Sequence, residues 1–200
     1  NAVLANANPD ASAKSREYIA EARFLRAYYY FELVRFFGDV VLFEENLGAD
    51  EYDQQQSPAE EVYALIIDDL SKAIPELPRK DELGSDENYR ATEGAARTLL
   101  GKAYLYMASP YFQQRYDFEL SGQEYYSLAA EQFSEVVSFG IYDLEPVYDD
   151  IWLFSHEHGV ESIFEIEYGN IERGGDWGNG RVNGGNIDVQ MCGPRSISTD

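Results

Sequence analysis

The side chains best suited to recognition chemistry stand near the end of the chain. Asp176 and Trp177 are followed by Asn179, Arg181, Asn183, Asn186 and Arg195 in a run dominated by glycine. An indole ring, planar amides, a carboxylate and guanidinium groups together suit a polyhydroxylated ligand. The ring covers C–H faces, and the planar groups reach hydroxyls from a loop held by a rigid scaffold. The competing reading is a flexible surface loop whose Trp177 packs onto the body of the protein, and the residues alone leave both open.

Other constellations are weaker. Asp149-Asp150 and Glu165/Glu167 offer carboxylates for a glycosidase, which needs two acids about 5 to 9.5 Å apart across a sugar bond. In so acidic a chain, adjacent and alternating acids arise by composition, and solvated surface is the expected place for them. His156-Glu157-His158 puts two imidazoles on one side if the backbone is extended. No further ligands stand at metal-site spacing, so a surface loop is expected. Calcium binding has no motif behind it, and no cofactor is expected. No nucleophile elbow, HExxH pair or phosphate-binding glycine loop occurs.

The charge narrows the partners. Asp and Glu number 37 against 15 Lys and Arg, a formal −22. Without a basic patch the chain is a poor ligand for nucleic acid or for anionic lipid. Hydrophobic content of 44% and aromatic content of 14% indicate a packed core. Most of the sixteen tyrosines are expected to fill grooves between helices. Cys192 stands alone, so no internal disulfide forms. Neither a leader nor an apolar run of membrane-spanning length is present. The chain opens as if in mid-protein and stops without a closing element, which suggests a piece of something longer.

These groups must be positioned by helices. The spacing predicts four, over Ser15–Phe37, Pro58–Leu77, Thr92–Ser109 and Gln123–Phe139. In the first, Ala22, Leu25, Tyr29, Leu33 and Phe36 follow one face and Phe24, Tyr28 and Phe31 an adjoining one. Leu25, Tyr29 and Phe36 are therefore expected in the core. Gly38 is its expected C-cap, and Val40 to Phe43 read as a short buried extended segment. Ser57 is the expected N-cap of the second helix, with Pro58 in its first turn and Glu60 closing a capping box. Asn46–Gln56, Arg79–Arg90 and Tyr111–Gly122 read as loops. Paired helices suggest degenerate tetratricopeptide repeats. Leu25 and Tyr29 would be followed by Ile66, Leu70, Ala73 and Pro78, then Leu100, Gly101 and Tyr104 by Ala129 and Phe133. Glu161 to Tyr168 alternates, with Phe164, Ile166 and Tyr168 on one side, and reads as a strand with one wet face.

The fold class expected is mainly α (α+β): tetratricopeptide-like helix pairs with long inserted loops, a short strand and a Gly/Asn-rich loop region. The scaffold would span 1–168, with 169–200 as a loop region of the same domain.

The run from Glu21 to Leu42 closely resembles the signature helix of the SusD/RagB family, surface glycan-binding lipoproteins of Bacteroidota. That helix reads roughly E-A-R-F-L-R-A-x-x-Y-F-x-L-V-x-x-F-G-D-V-P-L. Glu21, Ala22, Arg23, Phe24, Leu25, Arg26, Ala27, Tyr30, Phe31, Leu33, Val34, Phe37, Gly38, Asp39, Val40 and Leu42 fit it, and Val41 replaces the usual proline. Glu161 to Tyr168 is similar to a second family motif, E-x-I-F-E-I-x-Y. The likeness is densest over 15–43, 91–108 and 140–168.

The resemblance implies a non-enzymatic protein that binds oligosaccharides or polysaccharides for nutrient uptake. It would face outward at the outer membrane, tethered by a lipidated cysteine outside these residues, and pass sugars to a SusC-like TonB-dependent transporter. Family ligand residues do not belong to the shared motifs, so none carries over to a position here. The alternative function is a tetratricopeptide-type module that binds protein and no sugar.

Overall fold

Ser12 opens the longest helix by accepting a hydrogen bond from the Ser15 N–H through its hydroxyl, the usual satisfaction of an orphan first-turn donor. The computed structural model describes residues 1–48, 50, 51 and 53–166. Asn1–Phe164 form one compact unit, the one described here. Its helices are α1 (Ala2–Asn6), α2 (Ala13–Phe37), α3 (Ala59–Ala73), α4 (Glu93–Ala108), α5 (Pro110–Arg115) and α6 (Gly122–Ser138). The four long helices match the predicted ones to within a few residues. The short α1 and α5 were not expected, and α5 occupies part of the expected loop Tyr111–Gly122.

Helix α2 ends at Gly38, whose positive φ of 73° and N–H bond to the Val34 carbonyl close the last turn. The next residues then start α3. The Ser57 N–H donates to the Val40 carbonyl in an antiparallel bridge, and the Asp39 carboxylate accepts from the Ala59 N–H. The cap of α3 is thus Asp39, from across the chain reversal, and not Ser57. Glu60 closes no capping box either, because its carboxylate accepts from the Asp117 N–H. After Ala73 the helix tightens into a 3-10 turn over Ile74–Glu76 around Pro75, which has no N–H to continue the ladder.

Of the two apolar faces expected on α2, the structure buries the one carrying Phe24 and Phe31 and leaves the other open. Ala20, Phe24, Ala27, Phe31 and Val34 face the core, while Leu25, Tyr29, Leu33 and Phe36 are 43%, 63%, 41% and 69% exposed. Both stripes are apolar and lie on opposite sides of the helix. The inward one alternates alanines with large side chains, so α3 can approach closely. Tyr30 is nearly buried as well, and its hydroxyl accepts from the Phe43 N–H at 2.6 Å, pinning the extended segment 40–43.

The polar positions of the signature also have structural work. Asp69 on α3 is fully buried, and Arg26 grips it with two hydrogen bonds, Nε to Oδ2 at 2.6 Å and Nη2 to Oδ1 at 2.9 Å. Arg23 adds a third at 3.3 Å. The hydrogen bonds to Asp69 hold the Arg26 guanidinium more firmly charged than usual. Glu21 receives Arg90 at 2.6 Å, and Glu17 and Glu87 lie at 3.1 and 2.6 Å from the same guanidinium.

In the second pair, α4 and α6 run antiparallel, opened by Thr92 and by a Ser121–Glu124 capping box. Leu100, Tyr104 and Ala129 are buried as the repeat pattern requires. Gly101 explains why that pattern wants glycine. A Cβ there would come within 2.7 Å of the Phe133 ring edge. Gly101→Ala gains about 1 kcal/mol of helix propensity but displaces the ring at about 1–3 kcal/mol. Urea unfolding should show a net loss of about 1 kcal/mol, and a gain would mean that the ring moves aside freely.

Burial raises the hydroxyl pKa of Tyr63, Tyr104, Tyr125 and Tyr142. A raised folded-state pKa favours the neutral form. The associated stability is therefore complete below the unfolded value and is lost as pH rises through the folded values. The melting temperature should hold between about pH 7 and 9 and fall above about pH 10. Absorbance at the phenolate band, followed alongside, should show these hydroxyls ionising late or together with unfolding.

After α6 the chain turns at Gly140, again with positive φ, and folds back along the helices. Lys80 donates to the Gly159 and Ser162 carbonyls, and the Asp143 N–H to that of Val160. Phe164 then packs edge-on against Phe24, with ring centroids 5.1 Å apart. Residues 161–166 lie in turn and irregular backbone, without the expected strand ladder among the described residues. The Ser162 N–H donates to the Gly159 carbonyl in a turn, and the Ser162 carbonyl accepts from Lys80. Glu167 and Tyr168 lie outside the described residues.

Candidate functional site

Asp176, Trp177, Asn179, Arg181, Asn183, Asn186 and Arg195 all lie outside the described residues. Within them, the aromatic-rich stretch after Pro146 forms a 3-10 turn over Tyr148–Trp152. Four residues apart on that turn, the Tyr148 and Trp152 rings meet edge to face, with centroids 6.5 Å apart and planes at 74°. They are 72% and 75% exposed, unusually open for side chains of that size.

Polar groups border the pair. Asp149 and Asp150 belong to the same turn. His156 stands between Glu145 and Asp150, with Nδ1 3.6 Å from one carboxylate and Nε2 4.0 Å from the other. Two open rings beside carboxylates and an imidazole can cover the C–H face of a sugar and accept from its hydroxyls. Composition hides such a pair: an aromatic stretch reads equally well as core, and only the fold shows both rings turned outward.

His156 and His158 do not form the extended pair that a metal would need. Phe154–His156 is a 3-10 turn, and His158 has a positive φ of 58°. Among the described residues no group of three or more His, Cys, Asp or Glu is arranged to hold a metal ion, and no helix is long and apolar enough to cross a membrane.

A cleft of about 600 Å³ opens beside α3, lined by Glu60, Glu61, Asp68, Asp117 and Glu119 over a floor that includes Phe118 and Tyr125. Asp68 is paired with Lys72 at 2.6 Å. Tyr125 is buried, with its ring stacked on Tyr104 and met edge-on by Phe118. The cleft thus carries acceptors for hydroxyls without an open aromatic face, in contrast to the Tyr148–Trp152 turn.

Comparison with known proteins places this architecture. The SusD-like family model described as starch-binding and associating with the outer membrane matches residues 1–105, just over half of the chain. A SusD-like protein of Bacteroides ovatus is 29% identical over 163 residues, covering 80% of this chain and 27% of its own length. The structure of a laminarin-binding SusD-like protein superposes with a TM-score of 0.69 at 32% identity, over 84% of this chain and 34% of that one. Another, determined with a xylogluco-oligosaccharide, gives 0.67 at 27% identity, over 88% and 33%. The chain therefore spans about a third or less of the length of these relatives. With the signature charges holding the helices together and the repeat glycine seating its partner ring, the chain belongs to the SusD-like family.

Proposed function

We propose that the full-length protein binds glycans at the cell surface without cleaving them and passes them to a SusC-like TonB-dependent transporter. In this reading it is held at the outer membrane by a lipidated cysteine outside these 200 residues. The observation that carries the proposal is the family membership, joined to relatives that bind laminarin or were determined with a xylogluco-oligosaccharide. The exposed Tyr148–Trp152 pair adds a platform of suitable chemistry. The Gly/Asn-rich sequence holding Asp176, Trp177, Asn179, Arg181, Asn183, Asn186 and Arg195 would add a third ring with amide and guanidinium donors.

Calorimetric titration of the full-length protein with laminarin and xyloglucan oligosaccharides tests this reading. Trp177→Ala and Trp152→Ala should each weaken binding by about 1 kcal/mol or more at unchanged melting temperature, because aromatic anchors dominate recognition energy. A folded variant with unaltered affinity removes that tryptophan from the site. No binding across a broad glycan panel, or release of reducing ends, overturns the function itself.

A further inference from the structure

The segment around Tyr148 and Trp152 carries charge of one sign. Between Gly140 and Phe164 stand six acids, Asp143, Glu145, Asp149, Asp150, Glu157 and Glu161, with neither lysine nor arginine. Asp149 and Asp150 lie in the turn between the two rings, and Asp149, Glu157 and Glu161 are exposed. The helices treat their acids differently: Arg26 and Arg23 hold Asp69, and Arg90 gathers Glu17, Glu21 and Glu87. Two cations come near the segment, and both engage main-chain oxygens. Lys80 meets the Gly159 and Ser162 carbonyls, and Arg79 meets the Phe139 carbonyl and ring. His156 stands between Glu145 and Asp150, so two carboxylates face one imidazole even when it is protonated.

Resting on the reading of Tyr148 and Trp152 as a sugar platform, we infer that this platform selects uncharged glycans and rejects those carrying uronate, sialyl or sulfate groups. A sugar stacked on either ring lies beside the turn that holds Asp149 and Asp150. Its hydroxyls can donate to those carboxylates, which have acceptor capacity and no donor. A carboxylate or sulfate in place of a hydroxyl donates nothing and sets like charges side by side. That is the repulsive element by which a site discriminates among similar ligands. The formal charge of −22 acts in the same direction at longer range and slows the approach of any polyanion.

The test varies charge alone. Laminarin and xyloglucan oligosaccharides are titrated into the full-length protein, each in its neutral form and after oxidation of its primary hydroxyls to carboxylates. At low salt the oxidised form should bind at least about tenfold more weakly than its neutral parent. The gap should shrink as salt screens the carboxylates, and again in the double variant Asp149→Asn with Asp150→Asn at unchanged melting temperature. The salt series on the unaltered protein decides the matter should that variant fold poorly. Equal or tighter binding of the oxidised form overturns the inference, as does a gap that ignores salt, which would make the discrimination steric. Failure of the underlying reading looks different: the neutral sugars do not bind, or Trp152→Ala leaves their affinity unaltered, and the inference falls with it.

Discussion

Asp69→Ala should destabilise the protein by about 3–5 kcal/mol, because it strands the Arg26 charge against the core without its partner. The carboxylate is fully buried, and two hydrogen bonds from Arg26 and one from Arg23 converge on it. Arg26 also reaches the Asn1 side chain and the Glu44 carbonyl, so losing its main anchor frees the connection between α2 and α3 as well. Urea unfolding followed by circular dichroism measures the loss. The double variant Arg26→Met with Asp69→Leu should recover much of it, since an apolar pair of similar volume replaces both buried charges. A loss below about 1 kcal/mol for Asp69→Ala would mean that water reaches the pair and the cluster is in effect a surface one.

The second large effect separates the two faces of α2. Phe24→Ala should cost about 3–5 kcal/mol, the range for removing a buried ring that nothing refills. Phe24 is almost wholly buried and meets Phe164 edge-on. Leu25→Ala, one residue along, should change the stability of the 200-residue chain by no more than about 0.5 kcal/mol. Equal effects at the two positions would contradict the orientation of the helix.

That orientation is the clearest case of something the residues leave open. Both stripes of α2 satisfy helical periodicity, and large aromatics make the outward one look more like core. What decides is the shape of the partner: Ala20 and Ala27 let α3 come close, and no periodicity argument registers that. Helix starts are legible to within two residues where the cap is local: Ser12, Thr92 and Ser121 each satisfy a first-turn N–H, beside starts expected at 15, 92 and 123. Ser57 was misread because the true cap, Asp39, arrives from the other side of a long connection. The six-residue α5 begins at a proline and is too short for a period to show. The alternation after Glu161 specifies two faces, but among the described residues no neighbouring strand pairs with it. As for the site, the residue types from Tyr148 to Trp152 are plain in the sequence, while the outward turn of both rings is not, since exposure is a property of the fold.

Arg90 has a further consequence, for the order in which the molecule comes apart. Each helix pair closes on itself, α2 with α3 and α4 with α6, and the pairs meet chiefly where α3 lies along α4. Arg90 stands just ahead of α4 yet is bound to Glu17 and Glu21 on α2, so it straps one pair to the other. The hydrogen bond to Glu21 holds its guanidinium charged, so salt loosens the strap by screening the charges it joins. Native-state hydrogen exchange should then resolve two cooperative blocks, one per pair. Added salt should bring their opening energies apart before either block melts.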